Sequence, residues 1–364
     1  MKLKNTYAIV MAGGKGERFW PLSTAAKPKQ FLSVVAGKAL LALAIDRLHK
    51  VVPLRNVVVV TGASHVQATK EAVPDLPPAN IIGEPMGRDT AAACAVGTAW
   101  AAAQSHGKDA VCLILTADQL IGDLPAFHDT LTEAATVARA EDVFVTLGIV
   151  PTAPSTGFGY IETGDAYAHP GAIPMHRVRR FVEKPDSATA RAYVQSGRFF
   201  WNSGMFVWRA STFLDALRVH APPLADLAEA LSRIREPDRL HATLGEVYPA
   251  LAKISVDYAI MEKVSNIVMA RAAFAWDDVG AWPSLTSHLA ADESGNAVVG
   301  RCEALDSRGN VVVSTDRLTA LVGVSDLVVV HAPGVSLVCH RDHAQSVKRL
   351  VERLRTKGEY EELL

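Results

Sequence analysis

The chain has 364 residues, is 49% hydrophobic and 21% charged, and carries a formal net charge of −1. That length suits one large α/β domain plus a smaller one, and the charge balance excludes bulk attraction to nucleic acid or to an anionic membrane. The four cysteines, Cys94, Cys112, Cys302 and Cys339, form no CxxC pair; they read as buried free thiols rather than a zinc site or a disulfide framework. The start, MKLKNTYAIVMAGG, lacks a long apolar segment followed by a cleavage site, and no run approaches about 18 uninterrupted apolar residues. The expectation is a cytoplasmic protein with no membrane span.

Taken in order, YAIVMA (7–12) predicts a buried strand and KALLALAIDRLH (38–49) a helix. VVVVTG (57–62) is the next strand, with a helix from about Ser64. IIGEP (81–85) follows, then a helix from a Thr90 cap to about His106, a central strand AVCLILTAD (110–118), a helix over 125–139 and a strand VFVTLGIV (143–150). This alternation of apolar strands with helices predicts a parallel sheet covered on both faces, with ligands at the carboxyl ends of its strands. Gly13, Glu84 and Asp118 all lie just past such ends. Strand-like runs recur at 176–186 and 199–210, 211–263 reads as mainly helical, and 267–282 as a strand and loop. From about residue 291, short strands separated by Gly, Asn, Asp and Pro predict a small β domain, closed by a charged amphipathic helix over 343–361. The division is therefore 1–290 and 291–364.

The first loop, VMAGGKGERFWPLSTAAKPKQFL (10–32), holds three glycines, four basic residues and two prolines. A Walker A loop fails because Glu17 follows Gly16, and a dinucleotide fingerprint fails for want of a third glycine. What remains is a phosphate cradle. Gly13, Gly14 and Gly16 let backbone N–H groups approach a ligand, Arg18 and Lys29 supply cations, and Pro21 and Pro28 stiffen the loop. The bland alternative is a glycine turn with a solvated basic edge.

GGKGERFWPLS followed by KPKQFL resembles the signature of the nucleotidyltransferases that act on sugar 1-phosphates. The likeness is greatest to the short bacterial mannose-1-phosphate guanylyltransferases, and later motifs recur in that family's order over nearly the whole chain. The resemblance implies a Rossmann-like α/β catalytic domain with a mixed, mainly parallel sheet, and a C-terminal segment like a left-handed β-helix that often supports a homodimer. It implies that Ala12, Gly13, Gly14, Lys15 and Gly16 wrap the nucleotide, with Arg18 and Lys29 as the working charges. LTADQLI (115–121) and FAWDDVGAW (274–282) would place Asp118 and Asp278 as ligands of Mg2+, a cation that prefers carboxylates and substrate phosphates. Asp277 falls at a variable position, and Gln119 stands where the family usually has a histidine. RFVEKP (180–185), FWNSGMF (200–206) and TGFGYIE (156–162) would bring Glu183, Lys184, Asn202, Ser203, Gly159 and Tyr160 to the sugar phosphate.

GEPMGRDTAAA (83–93) suits base recognition. Guanine shows two donors, at N1 and N2, and the carboxylate of Glu84 can accept both; Arg88 and Thr90 are placed to contact phosphate or cap the following helix. In SVDYAIMEK (255–263), Asp257 reads as a helix cap and Lys263 as a phosphate contact. His340 and His343 lie three apart but away from every other motif, and no nucleophile elbow occurs. The resulting expectation is transfer of GMP from GTP to mannose 1-phosphate without a protein nucleophile. The same chemistry on heptose 1-phosphate with GTP, or on glucose 1-phosphate with dTTP or UTP, remains open, as does a regulator that binds nucleotide sugar without catalysis. No nucleic-acid or membrane partner is expected.

Overall fold

The computed structural model describes residues 2–14 and 16–364; Lys15, expected at the nucleotide, lies outside them. The strands are β1 (Thr6–Ala12), β2 (Val57–Gly62), β3 (Ile81–Glu84), β4 (Val111–Thr116), β5 (Leu120–Ile121), β6 (Phe144–Ile149), β7 (Tyr160–Ala166), β8 (Met175–Val182), β9 (Phe199–Arg209), β10 (Ile267–Arg271), β11 (Trp276–Asp277), β12 (Ala297–Leu305), β13 (Val311–Val322), β14 (Leu327–Ala332) and β15 (Val335–His340). The α-helices are α1 (Leu40–Asp46), α2 (Val66–Ala72), α3 (Asp89–Gln104), α4 (Leu124–Ala140), α5 (Ser187–Ser196), α6 (Ala210–His220), α7 (Pro222–Leu231), α8 (Pro237–Val247) and α9 (Val347–Arg355). The chain groups into two compact units, each discontinuous in sequence. The first holds Met1–Gly13, Ala44–Ala117 and Ile121–Trp276; the second holds Gly14–Leu43, Asp118–Leu120 and Asp277–Leu364. The first loop thus passes from one unit to the other between Gly13 and Gly14.

The first unit is built on a nine-stranded sheet of order β3-β2-β1-β4-β9-β6-β10-β8-β7. Tyr7 and Ile9 of β1, Val58 and Val60 of β2 and Cys112 and Ile114 of β4 face one core with Val96 and Trp100 of α3. The alternate residues, Ala8, Val10, Val57, Val59, Leu113 and Leu115, are buried as well. Burial of both sets is why these strands read as unbroken apolar runs. The β1–β2, β1–β4, β2–β3 and β6–β10 ladders are parallel. β9 runs antiparallel between β4 and β6, and β8 pairs antiparallel with both β10 and β7. The sheet is mixed, and its parallel part is smaller than the strand–helix alternation implies. β8 accounts for part of this: MHRVRRFV leaves three arginines exposed, and antiparallel sheets commonly tolerate a wet face; the buried β9 is antiparallel through the path of the chain. Helix α3 begins at Asp89 with Arg88 at its cap, so Thr90 is not the cap. Its hydroxyl accepts from the Val256 N–H at 2.9 Å instead.

In the second unit, β12, β13 and β14 stack in parallel, Ala297 beside Val311 and Val311 beside Val328. Asparagines mark the turn at the same place in successive coils. The buried Asn310 donates to Asn296 Oδ1 at 2.8 Å, and its own Oδ1 accepts from the Leu327 N–H at 2.9 Å. Such a ladder satisfies turn groups that stacking removes from water. Asn310→Ala strands those groups, and should lower stability in urea by about 2–3 kcal/mol, read as a lower midpoint at unchanged slope. The terminal helix is shorter than expected: α9 is flanked by 3-10 turns at Arg341–Ser346 and Glu361–Leu363. This end of the chain braces the first loop. Arg355 Nη1 pairs with Glu17 Oε1 at 2.6 Å, and Trp20 Nε1 donates to the Leu363 carbonyl at 2.8 Å. Cys94 and Cys112 are buried and Cys302 and Cys339 half-buried; all four are free thiols. Among the described residues no helix is long and apolar enough to cross a membrane.

Candidate active site

A cleft of about 280 Å³ in the second unit is lined by Gly16, Arg18, Lys29, Asp118, Gln119 and Asp278, together with Phe19, Val279 and Gly280. Its geometry begins at Gly16, which has φ +62°, and a Cβ there would stand 2.2 Å from Lys29 Cβ. Only glycine satisfies both conditions. Lys29 opens a 3-10 turn directly after Pro28, and its side chain is 7% exposed. Its ammonium donates to Asp118 Oδ2 at 2.9 Å and to the Asp278 carbonyl at 2.7 Å, and lies 5.7 Å from the Phe19 ring centroid. Arg18 is exposed in the same cleft.

The ammonium thus joins the carboxylate of Asp118, 38% exposed, to the main chain of the half-buried Asp278. Burial raises the Asp278 carboxyl above its ordinary range; Lys29 and Arg18 pull it down, while Asp277 and Asp118 push it up. Asp277 has other work: its oxygens accept from the Val279 N–H at 2.7 Å and face His288 Nε2 at 2.8 Å. Val279 itself has φ +48°. A positive φ on a buried β-branched residue directly after Asp278 is the kind of strain that clusters at functional sites. No group of three or more His, Cys, Asp or Glu side chains converges among the described residues. Two carboxylates facing one small polar cleft nevertheless fit an oxygen-seeking divalent cation, which completes its shell with substrate phosphate oxygens.

The first unit holds two further groups. Glu84 ends β3, is 7% exposed, and accepts from the Tyr248 hydroxyl at 2.6 Å. Burial pushes the Glu84 carboxyl up to about 7; the Tyr248 hydrogen bond opposes the rise and the Asp89 charge adds to it. A Cβ on Gly13 would lie 3.9 Å from Glu84 Oε2, and Ala12, buried at the end of β1, accepts from Thr61 Oγ1 through its carbonyl at 3.0 Å. Arg88, read in the sequence as a phosphate or capping residue, donates to the carbonyls of Tyr248 and Pro249 at 3.1 and 2.5 Å.

In the second group Gly159 approaches Glu183 so closely that a Cβ would stand 2.4 Å from its Oε1. The Asn202 N–H donates to the Gly159 carbonyl at 2.8 Å, and Asn202 Nδ2 donates to Asp257 Oδ1 at 2.8 Å. Asp257 is thus no helix cap: it starts a π-helical turn, and the Ser255 hydroxyl takes the Tyr258 N–H at 3.3 Å. Burial pushes the Asp257 carboxyl up to about 6, with Asn202 pulling down and Glu183 pushing up. Two expected residues turn their side chains to other partners, and a third stays beside Glu183. The Tyr160 hydroxyl donates inward to the Ser155 carbonyl at 2.8 Å, the Ser203 hydroxyl to the Leu147 carbonyl at 2.7 Å, and Lys184 is largely exposed, 3.4 Å from Glu183. Lys263 is exposed too. Sequence reasoning missed Tyr248 and the true setting of Asp257.

The raised Glu84 carboxyl has a stability consequence with a definite sign. The folded chain holds this proton above the ordinary value of 4.5, so the site is without cost below that pH and destabilises progressively as pH rises from 4.5 towards about 7. Glu84→Gln should therefore stabilise the chain by about 1–3 kcal/mol at pH 8 and leave it unchanged at pH 4, as compared by urea midpoints.

Similarity to known proteins places the chain in a family. The Nucleotidyl transferase family model matches residues 7–295, and the MannoseP isomerase/GMP-like beta-helix domain model matches residues 300–354. The chain is 37% identical over 364 residues to the mannose-1-phosphate guanylyltransferase of Escherichia coli (strain K12), covering 99% of this chain and 76% of that protein. It is 38% identical over 361 residues to the xanthan biosynthesis protein XanB of Xanthomonas campestris pv. campestris (strain B100), covering 99% and 75%. A crystal structure described as a mannose-1-phosphate geranyltransferase from Thermus thermophilus aligns with a TM-score of 0.85 at 37% identity, over 96% of this chain and 99% of that one. With the transferase model covering most of its length and relatives of this identity spanning nearly all of it, the chain belongs to the nucleotidyl transferase family, in the branch of the mannose-1-phosphate guanylyltransferases.

Proposed function

We propose that the protein transfers GMP from GTP to α-D-mannose 1-phosphate, giving GDP-mannose and pyrophosphate. The observation that carries this reading is the Lys29 ammonium held between Asp118 and the Asp278 backbone in a cleft that Arg18 also lines. A phosphate oxygen of the sugar attacks the α-phosphorus of GTP in line; the bond from that phosphorus to the bridging oxygen breaks, and its electron pair leaves on pyrophosphate. The nucleophile is already an anion, so no general base is required. The protein's contribution is to position two anions and stabilise the charge between them.

Lys29 and Arg18 neutralise the transferring group and the pyrophosphate. The backbone of Ala12, Gly13, Gly14 and Gly16 approaches the nucleotide, with Thr90 near it. Glu84 accepts the two donors of guanine. Gly159, Glu183 and Asn202 hold the sugar hydroxyls, joined by Asp257; Lys184 reaches the sugar phosphate, while Tyr160 and Ser203 serve as backbone and packing supports. Asp118 and Asp278 would hold Mg2+, which when bound supplies further neutralisation of the phosphate oxygens. We assign the catalytic domain to residues 1–290 and the β-helix-like domain to 291–364, and place the protein in the cytoplasm as a homodimer, on the strength of the family resemblance.

With GTP, mannose 1-phosphate and Mg2+, pyrophosphate and GDP-mannose should form in equal amounts. Exchange of labelled pyrophosphate into GTP should require the sugar phosphate. Exchange without it would reveal a nucleotidylated protein and overturn the single-displacement reading.

A further inference from the structure

We propose that Tyr248 sets the selection of guanine by fixing the plane of the Glu84 carboxylate, and that Arg88 is the residue that holds Tyr248 in place. This rests on the reading of Glu84 as the acceptor of the base. The last torsion of a glutamate is broad and poorly determined by itself. Two N–H donors on one edge of guanine can be met together only when both carboxylate oxygens are presented in the plane of the base. Each oxygen carries two lone pairs, so a hydroxyl bound to Oε1 fixes the rotation without consuming the lone pair that the base needs. The Tyr248 hydroxyl does this at 2.6 Å, and its ring is fully buried.

Tyr248 opens a short 3-10 turn directly after α8, and that turn is held from outside. The anchor is Arg88, whose Nε and Nη2 donate to the carbonyls of Tyr248 and Pro249 at 3.1 and 2.5 Å. The same segment is stitched to the start of α3 at three further points. The Ile254 N–H donates to the Arg88 carbonyl at 3.3 Å, the Ala91 N–H to the Ile254 carbonyl at 3.2 Å, and the Val256 N–H to Thr90 Oγ1 at 2.9 Å. Residues 88–91 thus act as a bracket for the strap that carries Tyr248. Arg88 is spent on that bracket rather than on phosphate.

The other groups around Glu84 are Asp89 and the Cys94 thiol on α3, and His241 on α8, whose Nε2 faces the Gly83 N–H at 3.5 Å. Burial and Asp89 both disfavour the charged carboxylate that two N–H donors require, and the Tyr248 hydroxyl favours it. The hydroxyl therefore orients the acceptor and also opposes its protonation.

Tyr248→Phe removes the hydroxyl and keeps the ring. The kcat/KM for GTP should fall about tenfold or more, while that for ITP, whose base lacks the 2-amino group, falls less, so that the preference for GTP shrinks. The acid limb of kcat/KM for GTP should also move to higher pH. Arg88→Gln should reproduce both changes in weaker form, and carries the same two readouts should Tyr248→Phe not fold. An equal loss for both nucleotides with an unmoved acid limb would assign Tyr248 to packing and overturn the proposal. Glu84→Gln, measured alongside, separates the layers. If it leaves the GTP-to-ITP preference intact, the reading of Glu84 itself is wrong and this proposal falls with it. If it abolishes the preference while Tyr248→Phe and Arg88→Gln do not, only the role of Tyr248 is lost.

Discussion

Lys29→Ala lowers kcat by about two to three orders of magnitude with the fold intact, the loss that removal of one preorganised donor produces when charge develops in the transition state. The ammonium needs no reorganisation, because Asp118 Oδ2 and the Asp278 carbonyl already fix it at 2.9 and 2.7 Å. Its loss removes a cation from the surroundings of the partly buried Asp278, whose carboxyl then rises further. Asp118 is partly exposed, so water screens much of the effect and cooperative unfolding persists. Lys29→Arg does not restore turnover: the guanidinium fork is longer and planar, and the stem is confined against Gly16. Steady-state kcat beside circular dichroism checks the prediction, and near-normal turnover in the alanine variant would remove Lys29 from the mechanism.

The second large effect belongs to a residue with no side chain. Gly16→Ala places a Cβ 2.2 Å from Lys29 Cβ and 3.0 and 3.1 Å from its N and Cα, on a backbone at φ +62°. Those are atoms that move only with the main chain, so the turn carrying Lys29 must shift. A displacement near 1 Å at a catalytic group costs about a hundredfold in rate, and the overpacking and left-handed backbone together cost about 2–4 kcal/mol of stability. Gly37 supplies the control: it has φ +66°, and a Cβ added there would meet nothing within 4 Å. Gly37→Ala should lose only about 1 kcal/mol, with kcat unchanged. If both variants behave alike, the contact between Gly16 and Lys29 is not what orders the cleft.

How much of this could be read from residues alone varies by feature. The central strands were legible because burial on both faces leaves unbroken runs such as VVVVTG and VCLILT. Strand direction was not: FFWNSGMFVWR looks like its parallel neighbours, and only the path of the chain makes β9 antiparallel. The assembly of residues 14–43 with 118–120 and 277–364 into one unit is likewise nonlocal. At the site, the glycines, Lys29, Asp118 and Asp278 could be named in advance, but the ammonium joining them could not. Asp257 misled because an aspartate before an apolar helical run has the signature of a cap, whereas its carboxylate turns to Asn202. Tyr248 was silent, since a tyrosine after a helix looks like ordinary core until a buried glutamate is found against it.

The substrate pair is tested by kcat/KM over a panel of nucleotides and sugar phosphates, scored by pyrophosphate release with and without Mg2+. GTP with mannose 1-phosphate should exceed ATP, UTP and dTTP, and glucose 1-phosphate and a heptose 1-phosphate, by at least about a hundredfold, and release should require the metal. Equal or faster turnover with dTTP or UTP and glucose 1-phosphate, or with a heptose 1-phosphate, would contradict it.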